Sequence, residues 1–170
     1  MIEQDMMDQR QDGRADFDFY IGKWNVHHQL LRERLRGSQE WEECAGVAVV
    51  HKVLDGLGNF DEITVERASE RVVGMTIRLF DPHSQQWSIY WADSRAGGLQ
   101  PPMFGAFQNG RGIFYNQDTL SGKKIFIRFI WSPLTENRCR WEQAFSSDGG
   151  STWETNWIME FQRAEEHPEK

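Results

Sequence analysis

From Trp24 onward the chain is divided by a turn signal at intervals of roughly 8–15 residues, and nothing between these signals carries a helical period. The segments between them read as ten strands: 24–35, 40–54, 60–67, 71–80, 86–93, 103–108, 112–117, 124–131, 138–146 and 152–163. The dividing signals are Asp55-Gly56-Leu57-Gly58, Asp81-Pro82-His83-Ser84, Asn109-Gly110, Leu120-Ser121-Gly122-Lys123, Pro133 to Asn137 and Asp148-Gly149-Gly150. The longest break, 94–101, holds Gly97-Gly98 and runs into Pro101-Pro102. Consecutive strands joined by short turns pair antiparallel. A long twisted meander of that kind protects its edges best by closing on itself. The expectation is an all-β, up-and-down antiparallel barrel, with a two-sheet sandwich as the alternative. Asp16-Phe17-Asp18-Phe19-Tyr20-Ile21 should form a short helical turn ahead of it, capped by Asp16.

The chain of 170 residues is one domain's worth. Residues 1–15 read as a flexible acidic arm, 16–164 as the barrel and 165–170 as a polar tail. Net charge is −7, and the 19 basic residues form no run, which argues against nucleic acid and an anionic membrane surface as partners. Cys44 and Cys139 are far apart and belong to no C-x-x-C, so they read as reduced thiols. The first ten residues hold no apolar core of a secretory signal, and no run approaches the ~20 apolar residues of a membrane span. The expected compartment is the cytoplasm. Aromatics stand out, with 8 Trp and 11 Phe against 3 Tyr. That many large rings call for a thick core or a lined cavity.

A closed meander brings its first and last strands together. Gly22-Lys23-Trp24 opens the first, and Arg163 ends the last, on the parity that carries Trp153, Thr155, Trp157, Met159 and Phe161. Closure would lay the Arg163 guanidinium on the Trp24 indole. Gly22, Trp24 and Arg163 together resemble the G-x-W and terminal Arg of the calycin superfamily, which holds the lipocalins and fatty-acid-binding proteins. The longer pattern is more specific. It runs from Phe17-Asp18-Phe19 through Gln86-Trp87-Ser88-Ile89-Tyr90-Trp91-Ala92-Asp93 and Trp141-Glu142-Gln143-Ala144-Phe145-Ser146 to Trp153-Glu154-Thr155-Asn156-Trp157. It is similar to a bacterial lipocalin-like family that carries only a domain-of-unknown-function label. The resemblance implies a small-ligand barrel and carries over no catalytic residue.

Several residues are candidates to line that interior. Trp91 shares a face of its strand with Asp93, Trp141 shares one with Gln143, and Trp157 sits on the Trp24-facing parity of the last strand. Indole walls with a few polar fixtures are the usual composition of a small-molecule pocket. Arg128 lies mid-strand, either inward as a buried cation needing a carboxylate or an anionic ligand, or outward along aromatics; Arg78 is also mid-strand. His28 shares parity with Trp24. His51 could approach it, but two histidines without a carboxylate make a poor metal site, and the last strand lacks the His a haem-binding relative would use. No metal or other cofactor is expected.

Ser146-x-Asp148-x-Gly150-x-Thr152-Trp153 resembles the Asp-box of propellers, yet it occurs once and reads as a stiff hairpin. No nucleophile elbow, zincin or phosphate-loop motif occurs. The segment 124–131 is apolar on both faces, so one row points outward and reads as a partner surface, most simply a homodimer interface, although a covering loop could do the same job. The functional expectation is a barrel that binds a small, largely apolar or amphipathic molecule. The alternatives are an isomerase or cyclase using Asp93 or Glu142 as acid/base, and a homodimeric module with a filled core.

Overall fold

A computed structural model describes residues 12–165. Ten strands form a closed antiparallel barrel in which each pairs with its sequence neighbours and the first pairs with the last. They are β1 (Gly22–Leu31), β2 (Trp41–Val53), β3 (Gly58–Glu66), β4 (Arg71–Asp81), β5 (Gln86–Asp93), β6 (Met103–Gln108), β7 (Arg111–Leu120), β8 (Lys123–Thr135), β9 (Arg138–Ser146) and β10 (Glu154–Arg163). The two-residue turns at Asn109-Gly110 and Ser121-Gly122 place both residues at positive φ, the geometry that matches hairpin twist.

Two short 3-10 turns precede β1. Gly13–Ala15 is capped by the Asp12 side chain, and Asp18–Tyr20 follows. The expected cap, Asp16, instead closes the first turn through its backbone N–H on the Gly13 carbonyl. Gly13 is tied to Gln85 Oε1, so the end of the segment read as an arm is fixed to the barrel; residues 1–11 of that arm and 166–170 of the tail lie outside the described residues.

The N-terminal turns plug one end. Phe17, Tyr20, Trp24, Trp87, Phe114, Trp131 and Phe161 pack there into one aromatic cluster. The β1–β10 seam closes over it with Trp24 opposite Arg163. The guanidinium carbon lies 4.2 Å from the Trp24 ring centre, and its nitrogens donate to the carbonyls of Ile21 (2.8 Å) and Phe19 (3.0 Å). Trp24 Nε1 donates to the Tyr20 carbonyl at 2.8 Å. Gly22 adopts φ +120°, and a Cβ there would meet Arg163 Nη1 at 2.8 Å, so both backbone and space require glycine.

The inward face of β8 is the odd row, Ile125 to Trp131; Phe126, Arg128 and Ile130 face outward. The 147–153 hairpin covers part of that outer row, with Trp153 against Arg128 and Gly149 beside Phe126. A loop therefore does part of what a second copy was expected to do. The hairpin is built as its sequence suggests: Ser146 Oγ donates to Asp148 Oδ1, which also accepts the Thr152 N–H at 2.9 Å, and Trp153 Nε1 donates to the Gly150 carbonyl. The hydrogen bonds to the Asp148 carboxylate, led by that from the Thr152 hydroxyl, hold its pKa down to about 2. No helix among the described residues is long and apolar enough to cross a membrane.

Candidate functional site

The aromatic plug fills only one end of the barrel. Beyond it lies a cavity of about 640 Å³, within the range that holds small-molecule ligands. Its opening is framed by the loop after β1, the β3–β4 turn, the loop after β5 and the β7–β8 turn.

Trp91, Trp141 and Trp157 line the cavity and meet edge to face. Trp157 lies 5.3 Å from Trp141 and 6.1 Å from Trp91, and Phe129 lies 4.9 Å from Trp141. Trp91 lies over Gly74 of β4, the residue paired with Asp93: a methyl group there would overlap the six-membered ring. Gln143 also lines the cavity, and its amide donates to Asn156 Oδ1 at 2.8 Å. A register shift between Thr155 and Trp157 makes that contact. It buries Asn156 completely and breaks the single face expected for β10, so that Trp157, Met159, Phe161 and Arg163 keep the expected face while Trp153 lies outside against Arg128.

His28 is inward and 0% exposed, yet it stands behind the wall rather than on it. Its Nε2 is 2.9 Å from the Thr64 carbonyl, and Trp157 Nε1 donates to Nδ1 at 3.3 Å. An indole N–H only donates and a carbonyl only accepts, so the imidazole is neutral with its proton on Nε2. The β2–β3 ladder stops at the Ala48–Ile63 pair, and His28 supplies the donor that Thr64 would otherwise lack. Gly46 lets the ring cross β2, because a Cβ there would overlap the Thr64 carbonyl.

Burial, helped by neighbouring His27 and opposed by the Thr64 bond, lowers the His28 pKa to about 4. The unfolded chain therefore binds more protons between pH ~6.5 and ~4, and stability falls as pH drops through that window. From pH 7.5 to 5 the expected loss from this group is about 2 kcal/mol. It is measured as the shrinking stability advantage of the wild type over His28→Gln. An imidazole that titrates near 6.5 by NMR contradicts the assignment.

Besides His28, two more of the expected lining residues, Arg128 and Asp93, lie off the cavity wall. Arg128 is on the outer face, 4.4 Å above the Trp153 ring, because the other row of β8 is the one packed into the cavity. Asp93 is buried at the end of β5, but its carboxylate is turned toward Arg95. It accepts from Arg95 Nη2 (2.8 Å), Nε (3.1 Å) and backbone N, and from Trp91 Nε1 (3.1 Å). The Arg95 bonds hold its pKa down to about 2. Asp93 thus orients Trp91 without facing the cavity. Glu142 lies on the outside and accepts from Arg140 at 3.2 Å. Neither carboxylate proposed as acid/base reaches the interior.

Sequence reasoning marked Arg78 as a mid-strand arginine without assigning it a face, and missed Asp61 and Asn59, which hold it at the cavity floor. Arg78 is 2% exposed and points inward; Nη2 donates to Asp61 Oδ2 at 2.7 Å and Nη1 to Asn59 Oδ1 at 2.9 Å. Its guanidinium lies against Tyr20 (4.9 Å), Trp131 (5.3 Å) and Phe17 (5.4 Å), joining β3 and β4 to the plug. Burial, then the charge of Asp61, pushes the Tyr20 phenol well above its ordinary pKa. Among the described residues no three His, Cys, Asp or Glu side chains gather as a metal site requires. Comparison with protein-family models and with curated proteins gives no match.

Proposed function

We propose that this protein is a lipocalin-like carrier or receptor that binds a small, largely apolar molecule inside its barrel. The observation that carries this reading is the cavity of about 640 Å³ walled by Trp91, Trp141, Trp157 and Phe129. Aromatic plugs complete a core at one end; an apolar space left open at the other does not serve packing, since voids weaken a fold. Burying ligand surface there yields about 25 cal/mol per Å² of apolar area. The Trp24–Arg163 seat supports the calycin likeness, because it is the feature on which that likeness was drawn.

The reading is tested with the neutral dye N-phenyl-1-naphthylamine. Dye emission is expected to rise on addition of protein, with tryptophan emission quenched by energy transfer. Ile127→Trp and Val65→Phe each place bulk in the cavity, and whichever variant retains wild-type near-UV circular dichroism is expected to lose dye binding at least about tenfold. Unchanged affinity in a folded filling variant, or no dye binding to the wild type, defeats the proposal.

A further inference from the structure

A window free of charge runs across the outer wall of the barrel. On β4 the side chains of 72, 74, 76, 78 and 80 are buried, so 73, 75, 77 and 79 point out. By the same alternation the outward positions are 88, 90 and 92 on β5, 104 and 106 on β6, and 113 and 115 on β7. None of them is charged, and all but Ser88 are aliphatic, aromatic or methionine. The far wall is charged, with Lys23 on β1, Arg140 and Glu142 on β9 and Glu160 on β10. Met75, Phe104 and Tyr115 are exposed in the window. Phe104 pairs across strands with Tyr115, whose ring lies 6.0 Å from Trp153 on the hairpin that covers β8.

A closed barrel offers a partner no strand edge, so side chains alone must hold it. Four strands about 4.8 Å apart, with residues rising about 3.3 Å each, give the window a footprint of about 400 Å². Two copies face to face bury about 800 Å² of such surface, and a polar rim raises this to the roughly 1,200 Å² at which specific interfaces begin. A basic partner, which the net charge of −7 would attract, finds no carboxylate in the window. Two copies repel over most of their acidic surface and meet there without opposing charges.

The margins of the window carry opposite signs. Glu62 stands on β3, paired with Met75, and Lys124 stands on β8, paired with Thr119; both are exposed. Each lies four residues toward the mouth from the row that joins Leu79, Ser88, Phe104, Tyr115 and Arg128. A two-fold axis along the strands, between β5 and β6, lays the β3 margin of one copy against the β8 margin of the other and keeps Glu62 level with Lys124. An axis across the strands sets each margin against itself, acid on acid and base on base. The walls curve apart at the margins, and long Glu and Lys side chains are what can span that gap.

We propose that the protein forms a two-fold homodimer through the outward face of β4–β7, with its axis along the strands and Glu62 facing the partner's Lys124. Both cavities then open on the same side of the dimer. The interface is independent of what the cavity holds.

Sedimentation velocity is the measurement. The wild type is expected to be a dimer at about 100 μM, with a Kd of about 10 μM or below. Phe104→Glu brings two carboxylates together beside the axis and is expected to weaken the dimer at least about tenfold, with near-UV circular dichroism unchanged. Tyr115→Lys is the second variant if the first folds poorly. Glu62→Lys and Lys124→Glu each place like charges opposite one another and are expected to weaken the dimer about threefold or more; the double variant is expected to return to within about twofold of the wild type. A wild type that stays monomeric at about 100 μM overturns the proposal and assigns the window to a different partner. A dimer that survives both Phe104→Glu and Tyr115→Lys unchanged also overturns it, because the contact then lies elsewhere. A double charge variant no tighter than the single ones overturns the two-fold arrangement.

Discussion

Asp61→Ala is expected to lower unfolding stability by about 3–5 kcal/mol. The carboxylate is 1% exposed and Arg78 is 2% exposed, so truncation leaves a cation in the barrel with no counter-charge. One Asp61 oxygen also accepts the Thr76 N–H at 3.2 Å, so a β4 backbone donor loses its partner as well. Asn59 keeps its bond to Nη1, but a neutral amide does not replace a charge. Asp61→Leu combined with Arg78→Met removes both charges and fills similar volume. That pair is expected to recover most of the loss, to within about 2 kcal/mol of the wild type, because desolvating two charges offsets most of their attraction. Urea unfolding with an unchanged m-value is the measurement. A loss below about 1 kcal/mol in Asp61→Ala would mean that water reaches Arg78 and that the cavity floor is wet. If the double variant is as unstable as the single one, the pair contributes net stability rather than breaking even.

That floor shows where a reading by alternation stops short. On β3 the apolar Phe60 is 37% exposed, while its neighbours Asn59 and Asp61 point inward. Judged by polarity, these residues sort onto the wrong faces. Judged by parity from Ile63 and Val65, both buried, Asn59 and Asp61 fall inside. The signal was present, but following it meant accepting a charge in the core, and the partner that makes this tolerable lies on another strand. Arg128 was ambiguous for the opposite reason. Both rows of β8 are apolar, so the strand alone does not choose, and the choice is made by what the neighbouring strands leave to be filled. Asp93 has the expected parity; what the strand pattern does not reveal is that Arg95, two residues on, draws its carboxylate away. The first strand reads in sequence as reaching residue 35, whereas pairing with β2 ends at Leu31. The ten strands and their turns were legible, because alternation and turn chemistry are local. The polar fixtures were not, because each depends on a contact between strands.

The seam that closes the barrel was legible, and it gives the second large effect. Trp24→Ala is expected to cost about 3–5 kcal/mol, the usual range for removing a buried tryptophan. The ring is 1% exposed and packs between Tyr20 at 5.9 Å and Phe161 at 6.1 Å, so little nearby is free to collapse into the space. Its loss also frees the Tyr20 carbonyl and takes the apolar face from beneath Arg163. Arg163→Lys keeps the charge but gives up the fork that reaches Ile21 and Phe19 together, and is expected to cost about 1–2 kcal/mol. Because ring and guanidinium are in contact, the two losses should not add. The double variant is expected to be about 0.5–1 kcal/mol less destabilised than the sum. Full additivity would show that the arginine holds the N-terminal turns through their carbonyls alone. The seam lies at the plugged end, so the folded fraction of either variant is expected to bind dye with wild-type affinity. A parallel loss of affinity would mean that plug and cavity are one cooperative unit, with the mouth held open by the packing beneath it.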